Sequence, residues 1–276
     1  MRQVITACLV FLVPIFLLAG DFEDGVAAYR ARVLKSAVRL FLRAAEQGNA
    51  EAQYKLGTLF GNGEGVAQDF VKAAKWWEKA AQQGNAGAQR GLGFMFYKIK
   101  EYKEAASLYQ LAAEQDDAEA QSNLGTMYSE GTGVVQNHKE ASKWWLRAAN
   151  QGFASAQFNL GRMYYRGEVV LKDNSEAAKW FIKAANQGNA MAQFFLGTIY
   201  VRNQREQGRK GGPQDFLEGH MWLNLASSGG VAEAGNLRDA ISKVMTPPQI
   251  EKAQNMALEK ATEIEKQKVT QKAGQP

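Results

Sequence analysis

Cysteine is almost missing from this chain: Cys8 is the only one in 276 residues. A framework of disulfides is therefore excluded, whatever the redox compartment. Histidine is nearly as scarce. His138 and His220 lie more than two repeats apart, and neither sits near a cysteine or a dense carboxylate cluster. The usual materials of a metal centre or a histidine-activated nucleophile are lacking. No dense basic stripe is present either, because 33 basic residues face 28 acidic ones and are spread along the chain, which argues against nucleic acid as a partner. The Gly-x-Gly stretches at Gly63 and Gly131 are not followed by Gly-Lys-Ser/Thr, so they are not phosphate loops. We assign no catalytic, cofactor-binding or metal-binding residues, and no cofactor.

The N-terminus has its own character. Arg2 precedes an apolar run from Val4 to Leu18, then Ala19-Gly20 and the acidic start Asp21-Phe22-Glu23-Asp24. A basic residue, an apolar run short for a membrane span and small closing residues read as a secretory signal over 1–20. Leu18-Ala19-Gly20 is a poor cleavage site, so an uncleaved membrane anchor is the alternative. Either way the protein is expected to be exported: periplasmic, secreted, or held at the inner membrane by residues 1–20. Cys8 lies before the end of the apolar run, out of place for lipidation. With no cysteine after residue 20, packing alone must hold the fold, and about 250 residues are enough to bury a core.

What the chain does have is repetition. The stretch Ala44 to Gly57 returns at Ala80–Gly93, Ala112–Gly125, Ala148–Gly161 and Ala184–Gly197, with a worn copy from Ala226. Matching positions step by 36, 32, 36, 36 and 42 residues. Such a period marks a stacked repeat array, an architecture that presents binding surfaces.

Each repeat reads as two antiparallel helices. The first carries Ala-x-Ala-Gln-x-x-Leu-Gly-x-x-aromatic, as in Ala50 to Phe60, with its Ala, Leu and aromatic positions on one helical face. A glycine inside a helix costs about 1 kcal/mol relative to alanine. Its recurrence at Gly57, Gly93, Gly125, Gly161 and Gly197 implies close approach of a partner helix. The second helix carries Ala-x-x-aromatic-aromatic-x-x-Ala-Ala, as in Ala73 to Ala81 and Ala141 to Ala149. Spacing assigns the second aromatic, such as Trp77, to the core and turns Trp76 partly aside. Glycine-rich turns (Gly61–Val66, Gly131–Val134, and the variant Arg166–Val170) join the helices, their glycines supplying positive φ and the valine tucking inward. Asp69, Asn137 and Asp173 are expected N-caps of second helices.

Three departures stand out. The third unit replaces its turn by Tyr97–Tyr102, which explains the short step. Asn203–Gln214 is inserted before the last second helix and reads as a protruding polar loop. Asp116-Asp117 stands where other repeats have Gly-Asn, placing a carboxylate at a helix start. His138, in a helix's first turn, is expected to be exposed.

The signature Ala-x-x-Gln-Gly-Asn-Ala-x-Ala-Gln-x-x-Leu-Gly-x-x-Tyr, matched five times between Ala44 and Tyr200, resembles the Sel-1-like repeat family, relatives of the tetratricopeptide repeats. The resemblance covers about Asp24 to Met245. It implies an all-α, right-handed superhelical solenoid of about six antiparallel helix pairs that scaffolds protein complexes. Exported bacterial members look like organisers of envelope machinery or host-contact factors. A cysteine-rich branch is linked to β-lactam hydrolysis, and this chain lacks that branch's paired cysteines. We divide the chain into 1–20, the array over 21–245, a C-terminal capping helix over 246–267 started at Thr246-Pro247-Pro248, and a disordered tail over 268–276.

In tetratricopeptide repeats the first helices line the concave face. On that analogy the inward positions are Tyr54, Arg90, Phe94, Tyr97, Lys98, Ser122, Thr126, Phe158, Arg162, Tyr165, Arg166, Phe194 and Arg202. Asn123 and Asn159 occupy a position where related repeats hold a ligand's backbone. Aromatics beside arginines suit an extended, acidic peptide or protein segment. The contrary reading is that Phe158 and Phe194 pack between helices and the arginines are only solvated. Two further functions stand as alternatives: a cell-wall or polysaccharide binder using exposed aromatics, and a β-lactam hydrolase.

Overall fold

The computed structural model describes residues 13–206 and 213–274. Every regular element among them is an α-helix, and consecutive helices form antiparallel pairs stacked on the next pair. Two compact units divide the chain. The first comprises α1 (Val13–Arg30), α2 (Leu34–Glu46), α3 (Ala50–Asn62), α4 (Phe70–Gln82), α5 (Ala86–Lys98), α6 (Tyr102–Glu114), the first turn of α7 (Ala118–Glu130) and the turn 131–135. The second comprises the rest of α7, then α8 (His138–Asn150), α9 (Ala154–Arg166), α10 (Asn174–Ala185), α11 (Ala190–Glu206), α12 (Pro213–Ser228), α13 (Ala232–Ser242) and α14 (Pro247–Gly274).

The repeated Gln-Gly-Asn-Ala is a junction between helices. At the end of α2, Gly48 takes φ +94°, and Asn49 N–H reaches back to Ala44 O at 3.1 Å. The Asn49 side chain then caps α3 by accepting from Ala52 N–H at 2.8 Å. Asn85 and Asn189 cap α5 and α11 in the same way. In the departing repeat Asp116 still takes the left-handed backbone, φ 64°, and Asp117 caps α7 through Ala120 N–H at 2.8 Å. The expected carboxylate at a helix start is there.

The motif glutamine ties this junction to the next pair. Buried Gln53 donates to Ala45 O at 3.0 Å and accepts from Gln83 at 2.8 Å. The same bridge joins Gln89 to Gln115, Gln121 to Gln151 and Gln157 to Gln187. A buried amide satisfied on both sides fixes register as well as contributing stability.

The helix glycines are packing sites, as expected. A Cβ at Gly125 would lie 2.6 Å from Trp145 Cδ1, and one at Gly161 2.6 Å from Phe181 Cδ1. Trp145, Phe181, Tyr109 and Phe41 are buried as second aromatics. Trp77 is not: it is half-buried and its indole nitrogen has no acceptor, whereas Trp145 donates to Ser122 O at 3.3 Å. Trp144 and Trp180, placed at the side by spacing, are 9% exposed. Each first tryptophan is also covered by a cation three residues on: Lys79 over Trp76 at 4.3 Å, Arg147 over Trp144 at 4.9 Å and Lys183 over Trp180 at 4.1 Å.

Several boundaries move. α1 runs unbroken through Gly20–Asp21, and Phe22 packs on Phe41 with ring centroids 5.9 Å apart. Residues 1–12 of the expected signal lie outside the described residues, and among the described ones no helix is long and apolar enough to cross a membrane. The loop expected over 203–214 is shorter, since α11 continues to Glu206 and α12 begins at Pro213; residues 207–212 lie outside the described residues. α14 does not stop at residue 267 but runs to Gly274, carried by alternating Lys and Glu pairs such as Lys268–Glu265 at 2.7 Å. Its Ala253 and Ala257 are buried and α14 packs on α12.

Candidate functional site

In the first unit, Arg90 on α5 faces the start of α7. Its Nε donates to Asp117 Oδ2 at 3.0 Å, and its Nη1 pairs with Glu119. Its Nη2 lies 3.5 Å from the Tyr54 hydroxyl. Burial weighs against the charge, but the Asp117 and Glu119 carboxylates outweigh it and hold the guanidinium pKa above its ordinary value. The expectation that Arg90 awaits a partner's carboxylate is therefore corrected: the chain supplies two. Tyr54 is held under Gly87, where a Cβ would come within 2.7 Å of its ring. Phe94 is 52% exposed, with Lys98 Nζ 5.1 Å above its ring. Tyr97 packs edge-on against Tyr102 at 5.3 Å.

The second unit is arranged differently. Phe195 on α11 stacks on Phe181 of α10 at 5.2 Å and 15°, and meets Tyr165 of α9 edge-on at 5.2 Å. Phe158 adds a ring 6.0 Å from Phe195, and Phe194 one at 5.7 Å. Phe158 and Phe194 are thus half-buried packing residues, not free anchors. Phe195, absent from the candidate positions, is the centre of this cluster. The one sequence signal was that it takes the place held by Asn123 and Asn159.

Around these rings stand the second unit's cations. Arg202 donates to the Tyr165 hydroxyl at 2.8 Å, and Lys172 lies 5.8 Å above the Tyr165 ring. Arg166 pairs with Glu168 of its own turn at 3.1 Å. Arg162 is half-buried, its Nε is fully covered, and that nitrogen has no hydrogen-bond partner. Among the described residues no carboxylate pairs with Arg162 or Arg202. Asn123 and Asn159 are half-buried on α7 and α9, with no hydrogen bond to their side chains among the described residues. Ser122, given a groove position by spacing, is only 3% exposed, so it is corrected to core; Thr126 beside it turns its hydroxyl back onto Ser122 O at 3.1 Å.

Two further titratable groups need placing. His138 is half-buried, not exposed, with Nδ1 3.4 Å from Ser129 Oγ. His220 on α12 is 2% exposed, and its Nδ1 has no partner. Burial, then the charge of Arg238, pushes its pKa below the usual value, with Asp239 opposing. Among the described residues no group of three His, Cys, Asp or Glu is placed to share a metal ion.

The Sel1 repeat family model matches six times, over residues 18–49, 50–85, 86–117, 118–153, 154–189 and 190–231. A protective antigen present in uropathogenic Escherichia coli strains, described as having an SLR fold, is 33% identical, with a TM-score of 0.80 over 90% of this chain. This chain spans only 54% of that antigen's length. A Sel1 repeat protein from Oxalobacter formigenes is 30% identical, with a TM-score of 0.72 over 87% of this chain and 96% of that one. No functionally curated protein matches.

Proposed function

Because the chain belongs to the Sel1 repeat family, whose members are helical repeat scaffolds that mediate protein–protein interaction, we propose that it is a non-enzymatic adaptor holding an acidic segment of a partner protein against α9 and α11. The observation that carries this reading is Arg162: a half-buried guanidinium with a covered, unpartnered Nε. A buried donor left unpaired costs free energy, and a ligand carboxylate would satisfy it. Arg202 and Lys172 stand beside Tyr165 to extend the same positive face. Asn123 and Asn159 keep their amides available for a ligand's backbone. Arg90 has no part in this surface, because its charge is met within the first unit.

The tryptophans that would make a sugar-binding platform are capped by the chain's own cations, which favours the protein partner over polysaccharide. We place the adaptor in the cell envelope or beyond it, on the strength of the apolar run Val4–Leu18. α1 continues across Gly20–Asp21, and Phe22 lies beyond it, so cleavage after Gly20 would keep the contact with Phe41.

The test is affinity capture from an envelope fraction with the wild type and with Arg162→Glu/Arg202→Glu, circular dichroism confirming equal helicity. A protein retained by the wild type, released by salt and lost with the double variant supports the reading. Equal capture by both would remove α9 and α11 as the binding surface.

A further inference from the structure

The glycine turns are seats as well as connections. A Cβ at Gly65, in the α3–α4 turn, would come within 2.8–2.9 Å of the Leu34 backbone at the start of α2. A Cβ at Gly133, in the turn before α8, would overlap the Tyr102 carbonyl at the start of α6. Each turn thus lays bare backbone on the first residue of the preceding pair's second helix. Both glycines have positive φ, 74° and 72°.

The corresponding first residue of α4 is Phe70, and the turn due to cover it is the one the third unit lacks. There the connection is only Ile99-Lys100-Glu101, closed by Lys100 at φ 68°. The consequence is visible in exposure. Leu34, Tyr102, His138 and Asn174, the equivalent first residues, are all half-buried, whereas Phe70 is 57% exposed and Val71 66%. Ile99, on the shortened connection, is 66% exposed. Phe70, Val71 and Ile99 leave an apolar notch in the place that a turn fills on Leu34 and on Tyr102.

We propose that this notch, independently of the α9–α11 surface, receives a glycine-containing turn from a partner protein, of the Gly-Glu-Gly-Val kind that the chain itself places on Leu34. The neighbouring seats define the occupant: backbone without a Cβ, a positive φ, and an aliphatic residue following. Charge selects the central residue. Lys98 and Lys100 are exposed around Ile99 against Glu101, and Asp69 beside Phe70 is already paired with Lys72 at 3.4 Å, so an acidic residue such as Glu64 fits that place.

The probe is a peptide of residues 60–69 (Phe60 to Asp69), cyclised through its ends, which already meet where Asp69 N–H donates to Phe60 O at 2.9 Å. Binding to the full chain is measured by fluorescence anisotropy. Saturable binding is expected, weakened about tenfold or more by Phe70→Asp and by peptide Gly65→Ala. Inserting the six residues 131–136 (Gly131 to Gln136) between Lys98 and Glu101, in place of 99–100, should abolish binding while helicity is kept. No binding, or binding indifferent to Gly65→Ala, overturns the proposal. Self-association of the chain that Phe70→Asp abolishes, without peptide binding, assigns the notch to a second copy and overturns it too.

Discussion

Arg90 and Asp117 belong to successive helix pairs and are joined by a 3.0 Å contact between Nε and Oδ2. Asp117 also caps α7, so a single carboxylate serves a helix start and a cation. That separates Arg90 from Arg162, which occupies the +2 position of its motif rather than the −2 position and has no carboxylate partner among the described residues.

The first prediction follows from that contrast. The Arg90 and Asp117 side chains are 26% and 17% exposed, a partly screened pair, so Arg90→Ala should destabilise the chain by about 1–3 kcal/mol. Asp117→Asn keeps a capping oxygen and removes the charge, so it should recover most of the capping contribution but not the pairing. Arg162→Ala removes a covered donor that has no partner, so it should cost clearly less than Arg90→Ala. Urea unfolding of the three variants checks the order. A loss for Arg162→Ala equal to that for Arg90→Ala would mean that Arg162 is structural.

Helix glycines give a second ordering. Alanine raises helix propensity by about 1 kcal/mol, yet at Gly125 and Gly161 its Cβ would enter the Trp145 and Phe181 rings at 2.6 Å. Overpacking of this kind costs roughly 1–3 kcal/mol or more, so both substitutions should lower Tm. At Gly93 the nearest ring atom, of Tyr109, is 3.0 Å away, and Gly93→Ala should be the mildest of the three. Three equal Tm values would remove the steric explanation.

Trp145 and Trp77 make a third test. They hold the same motif position, but only Trp145 is fully buried with its indole N–H satisfied. Trp145→Ala should cost about 3–5 kcal/mol and Trp77→Ala clearly less. Intrinsic fluorescence of the two variants, followed through denaturant unfolding, reads both values.

The fold was legible because its signals are local and repeated. Gly57, Leu56 and the Ala73 face recur at helical spacing, and each recurrence constrains the same packing problem. The Gln53–Gln83 bridge was less legible, since a lone glutamine in a motif does not show what lies 30 residues on. The site was read only in part. Spacing places Arg90 and Arg162 on comparable helix faces but cannot tell that Asp117 and Glu119 neutralise one and not the other. Phe195 holds the motif place that gives Asn123 and Asn159 a ligand-facing role, but its ring turns into the gap among α9, α10 and α11, which spacing does not reveal. Trp77 and Trp145 hold the same motif place, and spacing alone does not set how completely each indole is covered and paired.

The last prediction concerns acid. His220 is buried beside Arg238, and burial together with that charge keeps its folded-state pKa below the usual 6.5. The unfolded chain therefore binds a proton more readily than the folded one. As pH falls below about 6.5, the unfolded state gains protonation first and stability declines, levelling only once the folded form also protonates. Above 7 this contribution is constant. Tm measured between pH 7.5 and 5 should fall more steeply for the wild type than for His220→Gln, which keeps a polar side chain of similar reach without the titration. The carboxylates, such as Asp69 with its lowered pKa, lose their contribution only nearer their own range, so the two phases separate on the pH axis. If His220→Gln retained the wild-type slope between 7 and 5, the acid sensitivity would belong to another group.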